Sequence, residues 1–421
     1  MYFGYSTNME KTILHIDFDS FFASVEQQHN PLFRNKPLGV TATNGRSCII
    51  ASSREAKKLG IGTATRVYDA KRICPDIALT GADFRKYWVE SQKFINICKD
   101  FSPYVEVFSI DELFMDITKT AHLFGGTDAL IQKLKYRIAR EIGEYITVSI
   151  GISYNKLLAK LGSGFQKPNG LTHISRANFL DRYANAPLTK ICGIGQRIEA
   201  RLNALGIYTL LQLHEAPRAS LIAAFGNVEG QFLYNVGQGV DTREVIPYTE
   251  TPTVKSVGRQ YCLPQNQYDK RIVLQNIYEL CEEVSLKLRR LSKKARSAGV
   301  YLRGTHIIKG HKTYKTYFST GKDMYGICAD IISGQQDQFL HGYVRQIGVW
   351  AGYLTDAKHT PLSLFDPPQH EALITTIDTL NDKYGDHTIR NGFLLYADKL
   401  TTVPNGWMAD KYERTRLAQT A

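Results

Sequence analysis

Two adjacent carboxylates at a turn constrain this chain more than any other feature of its sequence. Apolar and polar residues alternate on both sides of Asp111 and Glu112, between Tyr104 and Thr118, which predicts two short strands joined by a hairpin. Neighbouring carboxylates repel each other, so they stay close together only where a cation lies between them or water surrounds them. The hairpin is therefore either a metal site or a solvated turn.

A third carboxylate favours the metal site. The segment "TILHIDFDS" (12–20) reads as a strand that ends in Asp17 and Asp19, whose side chains we expect on one face. If this strand pairs with the hairpin, Asp17, Asp111 and Glu112 converge. Three carboxylates in a small volume need compensating charge, and Mg²⁺ supplies it through hard oxygen ligands. Two such ions activate an attacking hydroxyl and stabilise in-line displacement at phosphorus.

The length and composition of the chain are those of a globular protein with two to four domains. It has 421 residues, and its hydrophobic fraction of 43% is sufficient for buried cores. No apolar run approaches the roughly 18 residues that cross a bilayer, and no secretory signal is visible, so no membrane partner is expected. The scattered cysteines form no CxxC pair, which favours a reducing cytoplasm without structural zinc or disulfides: Cys48, Cys74, Cys98, Cys192, Cys262, Cys281 and Cys328.

The net charge of +12 is concentrated in one segment. Between Lys255 and Lys322 there are 15 Lys and Arg against 4 Asp and Glu, whereas the other residues hold 37 basic against 36 acidic. A solvated basic face is the ordinary explanation for such a run. A surplus this concentrated favours a module that binds a polyanion, with nucleic acid as the expected partner.

Hydrophobic periodicity divides the chain into two α+β parts with a helical segment between them. Leaving aside residues 34–83, whose pattern is mixed, the first part reads β-α-α-β-β-α-β, which predicts helices on one face of a mostly antiparallel sheet. Residues 176–245 look mainly helical, with glycine turns. A helix with apolar positions from Val273 to Leu291 and three strand-like runs then form a second, basic α+β unit. A last helix is predicted near His370 to Tyr384.

Several motifs resemble those of one enzyme family. "HIDFDSFFASVE" (15–26) and "SIDE" (109–112) resemble the two catalytic motifs of the Y-family, the translesion DNA polymerases, and residues 151–170 resemble its third palm signature. "ICGIGQRIEARLNALGI" is similar to the helix-hairpin-helix of its thumb, and "SVGRQ" to the entry of its little finger. The resemblance covers residues 11–355 in the family's order and points to the bacterial polymerase IV and polymerase V branches.

The resemblance implies a multidomain α+β fold shaped like a right hand. The expected parts are a ferredoxin-like palm (11–20 and 84–175), small fingers (21–83), a helical thumb with the helix-hairpin-helix (176–245), a linker (246–254), an α+β little finger (255–356) and a tail (357–421). It further implies a DNA-directed DNA polymerase that adds dNTPs to a primer 3'-OH with two Mg²⁺ ions, or Mn²⁺ in their place. Its expected setting is DNA repair and the SOS response, at the nucleoid in the cytoplasm, with primer–template DNA and accessory SOS proteins as partners.

Position by position, the motifs imply a set of active-site residues. Asp17, Asp111 and Glu112 match the metal ligands, which the backbone carbonyl of Phe18 completes. Phe22 matches the steric gate that excludes a ribose 2'-hydroxyl, and a core aromatic is the alternative for a lone Phe. Lys167 matches the lysine that meets the triphosphate of the incoming nucleotide. Arg54 and Lys57 stand where many family members have a Tyr and an Arg that contact the triphosphate, and Val40 and Ile50 match positions that cover the nascent base pair.

DNA contacts are implied along the palm, the thumb and the little finger. Lys156 and Lys160 match palm positions that touch the DNA backbone, and the turn with Gly193 and Gly195 suits a phosphate at the N-terminus of the next helix. An ordinary helix–helix turn is the alternative for this glycine pair. Five basic residues on predicted strands of the basic unit are expected to follow the phosphates: Arg259, Arg303, Lys312, Lys315 and Arg345.

The tail contains a segment with two interpretations. "PLSLF", Pro361 to Phe365, is similar to the motif by which bacterial polymerases bind the sliding clamp, here through Leu362, Leu364 and Phe365, with Pro361 in place of the usual Gln. A hydrophobic segment that packs back on its own protein is the alternative. The residues that follow resemble the tail of polymerase V-like members, which favours a bacterial or phage source.

Two other functions fit part of the sequence. "ILHIDFDSF" also fits an aspartate-nucleophile phosphatase of the haloacid dehalogenase type, with Asp17 as the nucleophile. That interpretation explains neither "SIDE", the helix-hairpin-helix nor the basic segment. A non-catalytic DNA-binding protein explains the last two features but not the three acids.

Overall fold

The computed structural model describes residues 10–42, 48–184, 186–250, 253–361, 368–385, 388–395 and 397. These residues form two compact units, the first made of residues 10–250 and the second of residues 253–397. Within these ranges, no helix combines the length and the apolar character that crossing a membrane requires.

The first unit combines two sheets with helices. Its strands are β1 (Ile13–Phe18), β2 (Leu38–Thr41), β3 (Ile49–Ser52), β4 (Ala78–Gly81), β5 (Val105–Val107), β6 (Glu112–Asp116), β7 (Val148–Ser153) and β8 (Leu171–Ile174). Its α-helices are α1 (Phe21–His29), α2 (Arg54–Lys58), α3 (Val67–Ile73), α4 (Phe84–Lys99), α5 (Thr127–Glu141), α6 (Lys156–Ser163), α7 (Phe179–Ala184), α8 (Gln196–Asn203), α9 (Leu210–Glu215), α10 (Arg218–Phe225) and α11 (Asn227–Gly237).

A five-stranded sheet in the order β5-β6-β1-β7-β8 forms the centre of the first unit. Neighbouring strands are antiparallel except β7 and β8, as the prediction of a mostly antiparallel sheet required. The prediction of helices on one face is wrong, because odd and even positions of β1 meet different helices. His15 contacts Ser163 of α6 (Nδ1–Oγ 2.7 Å), whereas Phe18 packs against Phe94 of α4 on the other face.

A glycine allows α6 to approach the sheet closely. A Cβ atom on Gly151 would lie 1.9 Å from the Ala159 carbonyl oxygen and 2.4 Å from the Ser163 nitrogen. Only glycine fits a backbone approach this close. The contact holds α6, and with it Lys160, next to the carboxyl end of β1.

Residues 34–83 contain the second, smaller sheet, in the order β3-β2-β4. Strand β2 is antiparallel to β3 and parallel to β4. Its strands have four residues each and α2 has five, so no element is long enough to show a clear period in the sequence. Its small core consists of Ile49, Ala56, Ile61, Ala70 and Ile77.

Helices α7 to α11 pack around a common core, in agreement with the helical prediction for residues 176–245. Thr209 and Gln212 cap α9 reciprocally, each through a hydrogen bond between its side chain and the backbone of the other. The fully buried leucines of this core are Leu158 from α6 and, from the helical segment, Leu188, Leu202, Leu210, Leu213, Leu221 and Leu233.

The second unit is an α+β layer, as predicted. Its elements are β9 (Ser256–Gln267), α12 (Lys270–Arg290), β10 (Lys293–Gly304), β11 (Ile307–Phe318), α13 (Gly321–Ser333), α14 (Gln336–Leu340), β12 (Val344–Gly352), β13 (Thr355–Asp356) and α15 (Pro368–Tyr384). An antiparallel sheet in the order β11-β10-β12-β9 packs against α12 and α13. The predicted apolar positions of α12 are fully buried: Val273, Ile277, Leu280, Val284 and Leu288.

Helix α15 is attached to α12 by a forked ion pair. Arg289 donates to both carboxylate oxygens of Asp378, at 2.6 and 2.7 Å. This bidentate geometry adds orientation as well as attraction. The helix predicted near His370 to Tyr384 is therefore present and packs on the second unit.

Candidate active site

Strand pairing brings the three predicted acids together. In the antiparallel pair of β1 and β6, Asp17 lies directly opposite Glu112. The next residue, Phe18, donates its backbone N–H to the carbonyl oxygen of Asp111 at 2.9 Å. Asp17, Asp111 and Glu112 therefore share one end of the central sheet.

Burial makes this acidic cluster costly to ionise. The pKa values of Asp17 and Asp111 are both raised, first because the carboxyls are removed from water and also because neighbouring carboxylates repel them. For Glu112, burial would also raise the pKa, but a hydrogen bond with His15 and the charge of Lys160 outweigh burial and lower it to about 2. The cluster thus holds one stably ionised carboxylate and two whose charge calls for a cation.

His15 is a member of the site that the sequence interpretation missed. Its ring is fully buried, with Nε2 3.1 Å from a carboxylate oxygen of Glu112 and Nδ1 2.7 Å from the Ser163 hydroxyl. Burial lowers the pKa of His15, which favours the neutral ring. The signal in the sequence was its spacing of two residues from Asp17, which puts both side chains on one face of β1.

The donor atoms of the site fit a divalent cation. Ligand atoms of His15, Asp17 and Glu112 all lie within 4.8 Å of one another. Carboxylate oxygens suit hard cations such as Mg²⁺ and Mn²⁺, and Asp111 adds a further carboxylate beside them. Phe18 can offer only its backbone, because its ring is 2% exposed and stacks within an aromatic cluster.

Two lysines pair with these acids. Lys167, from the loop before β8, forms an ion pair with Asp17. Lys160, from α6, forms one with Glu112. The DNA contact predicted for Lys160 and the triphosphate contact predicted for Lys167 both stay predictions.

Two further cations come from the smaller sheet. Lys57 donates to the Ser20 hydroxyl at 2.8 Å, and Arg54 donates to the Thr147 hydroxyl. The pKa of Lys57 is lowered because its ammonium is partly removed from water and also faces the charge of Lys167. The three cations predicted to meet the triphosphate thus lie close enough to influence one another.

Lys156 is buried against a carboxylate of its own unit. Its side chain is buried, and Nζ lies 2.5 Å from a carboxylate oxygen of Glu106 and 3.3 Å from the Glu244 carbonyl oxygen. The Glu106 carboxylate is itself buried and needs a counter-charge, because an unpaired buried charge is strongly destabilising. The prediction that Lys156 touches the DNA backbone is wrong.

Phe22 lies on α1 in a rigid aromatic cluster. Its ring stacks on Tyr87, with centroids 4.2 Å apart and an interplanar angle of 13°, and meets the edge of Phe84 at 6.1 Å. The side chain of Phe22 is 7% exposed, so little of the ring is open to a ligand. Its role as the steric gate stays a prediction.

The two residues predicted to cover the nascent base pair differ in exposure. Val40, in the middle of the smaller sheet, is fully buried, whereas Ile50 on the neighbouring strand is half-buried. Val40 therefore supports the sheet from within and cannot touch a base directly. The prediction of a base-pair contact is wrong for Val40, and it stays a prediction for Ile50.

Gly193 and Gly195 serve different purposes in their turn. Gly193 has φ +109°, and a Cβ atom there would lie 2.6 Å from the Phe232 ring. Gly195 precedes α8, which no side chain caps, and a Cβ atom there would meet nothing within 4 Å. An open helix N-terminus of this kind suits a phosphate, and the contact with DNA stays a prediction.

The sheet of the second unit separates Arg303 from Lys312. Lys312 lies opposite Ala298, which is buried under the helices, and it pairs with Asp330 of α13. Side chains alternate between the two faces along a strand, and Arg303 is an odd number of residues from Ala298 on β10. Arg303 is therefore exposed on the opposite, open face. The prediction that the two residues share one phosphate-binding face is wrong for Lys312.

The other three basic residues predicted on these strands differ in the face of the sheet that they occupy. Arg259, two residues after the buried Val257, lies on the same helix-covered face of the sheet and forms a 2.9 Å ion pair with Glu283 of α12, so the prediction that it lies on one phosphate-binding face with Arg303 is wrong as well. Lys315 is exposed on the edge strand β11. Arg345 lies at a shift of register in β12, where alternation does not assign a face.

The predicted clamp segment falls largely outside the described residues. Leu362, Leu364 and Phe365 belong to the part of the chain that the structure does not describe, and Pro361 before them is exposed. The clamp contact and the alternative of packing back on the protein both stay predictions.

The fold and the site define a class of protein. A mixed sheet carries converging acids bordered by cations, and it is followed by an open helix N-terminus after a glycine turn and by a basic sheet with a free face. This combination is that of an enzyme which transfers nucleotides on a nucleic acid.

Comparison with known proteins identifies the family. The profile of the impB/mucB/samB family matches residues 16–164, that of the DNA polymerase-iota thumb domain residues 189–241, and that of the impB/mucB/samB C-terminal domain residues 254–364. DNA polymerase IV of Pelotomaculum thermopropionicum is 33% identical over 390 residues, which cover 90% of this chain and 94% of the relative. DNA polymerase IV of Moorella thermoacetica is 32% identical over 390 residues, or 91% and 96% of the two chains.

A solved structure agrees with these relatives. A chimera of the Y-family DNA polymerases Dbh and Dpo4 matches with a TM-score of 0.71 at 27% identity, over 82% of this chain and 99% of the chimera. The chain belongs to the Y-family of DNA polymerases. It is a DNA-directed DNA polymerase of the translesion type, whose substrates are primer–template DNA and dNTPs, and its acidic cluster is a candidate metal site.

These findings confirm the polymerase interpretation over its two alternatives, the phosphatase and the non-catalytic DNA-binding protein. The Pelotomaculum and Moorella relatives both bear the name polymerase IV. The resemblance of the tail to polymerase V-like members therefore stays a prediction.

Replacing Asp111 by Asn is expected to stabilise the metal-free protein. The raised pKa of Asp111 means that the folded state disfavours its charged form, so ionisation near neutral pH costs stability that an amide does not. We expect the Tm in EDTA to rise by about 2–4 °C, which corresponds to roughly 1 kcal/mol in a unit of this size. Mg²⁺ should then raise the Tm of the wild type more than that of the variant.

The control is Glu144→Gln, which neutralises an exposed carboxylate of the same unit. Its Tm should match the wild type in EDTA and in Mg²⁺. A Tm of Asp111→Asn below that of the wild type in EDTA would contradict the proposed repulsion among the three acids.

Proposed function

We propose that Asp17, Asp111 and Glu112, with the backbone carbonyl of Phe18, hold two Mg²⁺ ions, for which Mn²⁺ can substitute. The observation that supports this most directly is the register of β1 and β6, which sets Asp17 opposite Glu112. When bound, such ions lower the pKa of the primer 3'-OH and stabilise the charge that develops at the displaced phosphate. The neutral ring of His15, 3.1 Å from Glu112, orients that carboxylate.

The cations beside these acids bind the triphosphate of the incoming dNTP. Phosphate oxygens take the place of Asp17 as the partner of Lys167, and Arg54 and Lys57 add charge from the smaller sheet. Arg54 offers a planar fork, of which one N–H group already bonds Thr147, whereas Lys57 offers a mobile point charge. These residues thus bind the triphosphate through charge rather than through contact with a tyrosine ring.

Two apolar side chains select the nucleotide. The ring of Phe22 is fixed by its stacking on Tyr87, so it cannot yield to a ribose 2'-hydroxyl and favours the deoxyribose. Ile50, on the exposed side of β3, rests against the nascent base pair. Its branched side chain takes more room than a small residue would, which narrows the range of damaged bases that fit.

The DNA duplex is held through its phosphates. Backbone N–H groups at Gly195 and the start of α8 meet one phosphate, a contact that ignores base sequence, as copying requires. The open face of the second unit meets others. Alternation puts two basic residues that the sequence interpretation did not single out, Lys309 and His311, on the same face as Arg303.

The remaining assignments concern organisation and partners. We assign the palm, fingers, thumb and little finger to the residue ranges given above, since the two sheets, the helical cluster and the second unit follow that order. The segment Pro361–Phe365 is proposed to dock on the sliding clamp. Accessory SOS proteins and a place at the nucleoid in the cytoplasm complete the proposal.

Removing the acids should abolish synthesis without abolishing DNA binding. Because Asp111 and Glu112 contribute charge only at the reacting centre, Asp111→Ala and Glu112→Ala should each slow primer extension with Mg²⁺ by about 10³-fold or more, roughly 4 kcal/mol of barrier. Gel-shift affinity for primer–template should stay within twofold. Glu144→Ala is the matched control, and unchanged extension by either active-site variant would contradict the metal assignment.

Shortening Phe22 should relax sugar selection. Without the ring, the space beside the sugar admits a 2'-hydroxyl, so Phe22→Ala should raise the kcat/KM for rNTPs relative to dNTPs by roughly 10–100-fold, about 1.4–2.7 kcal/mol. Phe84→Ala removes a ring from the same cluster and serves as the control, since its selection ratio should not change. An unchanged ratio for Phe22→Ala would remove it from the role of gate.

Truncation of Arg303 should weaken DNA binding in a salt-dependent way. If Arg303 neutralises one phosphate, Arg303→Ala should lower the slope of log Kd against log salt concentration by about 0.9. Lys312→Ala, which removes the same charge from the helix-covered face of the sheet, should leave the slope unchanged. Equal effects of the two substitutions would contradict the assignment of the open face to DNA.

A further inference from the structure

Asp19, the second acid of the "DFD" motif, has no part in the acidic cluster. Its side chain is 3% exposed and accepts three hydrogen bonds. Oδ1 accepts from the Ser149 hydroxyl at 2.7 Å, and Oδ2 accepts from the Thr147 hydroxyl at 2.6 Å and from the backbone N–H of Asn169 at 2.7 Å. These contacts direct the carboxylate towards β7 and the loop before β8, so both carboxylate oxygens of Asp19 already accept hydrogen bonds within the protein.

One of these bonds fixes the loop that carries Lys167. Asn169 lies two residues after Lys167 and has φ +55°, a left-handed conformation that needs support from its surroundings. Lys135 supplies part of that support through bonds to the carbonyl oxygens of Asn169 and Gly170, at 2.7 and 3.1 Å. The bond from Asn169 N–H to Asp19 ties the same loop to the end of β1.

A second bond leads to the smaller sheet. The Thr147 hydroxyl donates its proton to Asp19, so its oxygen is free to accept, and Arg54 donates to it. The result is a chain of two charge-assisted hydrogen bonds from Arg54 through Thr147 to Asp19. The position of the Arg54 guanidinium at the start of α2 is therefore coupled to the same carboxylate.

We propose that Asp19 is a positioning residue that holds two triphosphate-binding cations, Lys167 through Asn169 and Arg54 through Thr147, and thereby sets the affinity for dNTP. This inference rests on the triphosphate role proposed above for these cations. The hydrogen bonds of the Asp19 side chain go to Thr147, Ser149 and Asn169 and to none of the proposed metal ligands. Since displacement of a binding group by about 1 Å is enough to cost up to 100-fold, loss of the anchor should appear mainly in KM for dNTP.

The first test compares two substitutions of Asp19 by steady-state primer extension. Asp19→Ala removes all three acceptor bonds and should raise KM for dNTP by about tenfold or more, with a smaller change in kcat. Asp19→Asn should stay within about threefold of the wild type, because the amide oxygen still accepts from Asn169 N–H and its NH₂ group donates to Ser149. Equal KM values for wild type and Asp19→Ala would overturn the proposal.

A double-mutant cycle tests whether Asp19 acts through Lys167. If it does, Asp19→Ala should change KM for dNTP much less in a Lys167→Ala background than in the wild type. Full additivity of the two substitutions would overturn the proposal. Thermal unfolding of each variant separates a lost anchor from a lost fold.

Thr147 provides a milder test if Asp19→Ala does not fold. Thr147→Val keeps the shape of the side chain and removes only the hydroxyl, whereas Thr147→Ser keeps the hydroxyl. The valine variant should raise KM for dNTP severalfold and the serine variant should not, and Arg54→Ala should abolish the difference. Equal KM values for the two variants would overturn the Arg54 part of the proposal. Unchanged KM values for dNTP in both Lys167→Ala and Arg54→Ala would instead overturn the triphosphate role on which the proposal rests.

Discussion

The pairing of β1 with β6 is the interaction on which the site depends. A ladder of backbone hydrogen bonds sets Asp17 opposite Glu112, and the amide of Phe18 reaches Asp111 where the hairpin turns. Because side chains alternate along a strand, a slip of one residue would move Asp17 to the face that packs against α4. The apolar residues of β1 make such a slip costly, since Leu14 and Ile16 are fully buried.

Residues on either side of Asp17 in the sequence contact the surroundings of the acids. His15, two residues before Asp17, lies 3.1 Å from Glu112 inside the protein. Gly151 on the neighbouring β7 allows α6 to approach the sheet, which places Lys160 beside the same carboxylate. On the other side, Asp19 binds β7 and the loop of Lys167. An arrangement with so many charges near one strand end is unfavourable for stability alone and is typical of functional sites.

The sequence was most informative where residue type and spacing determine geometry. Asp111 and Glu112 lie in a hairpin, and Asp17 ends a strand that can pair with it. The alternation of side chains along a strand is enough to predict that these three carboxylates meet. The apolar positions of α12 predict its buried face for the same kind of reason, because the helix is long enough to show its period. The order of the motifs then indicated the protein family, which composition and charge alone could not indicate.

The errors share a physical cause, since a sequence shows a charge but not its partner. Lys156, Lys312 and Arg259 each carry the charge that DNA attracts, yet each lies against a carboxylate of its own unit. The polar edge strand β11 lacks the apolar alternation that would have shown its faces. Val40 lies on a strand of four residues, too short to separate an inner face from an outer one. His15 reads as an ordinary core residue until Glu112 is placed beside it.

The ion pair of Lys167 with Asp17 has a thermodynamic consequence. If Asp17 binds a metal ion and Lys167 binds the triphosphate, as proposed above, the ion pair between them must break when either ligand binds, which frees the other group for its own ligand. Linkage then requires reciprocity: whatever factor the nucleotide adds to the affinity for the cation, the cation adds to the affinity for the nucleotide. Through this single contact, the enzyme would load its two small ligands cooperatively, with no change of backbone shape.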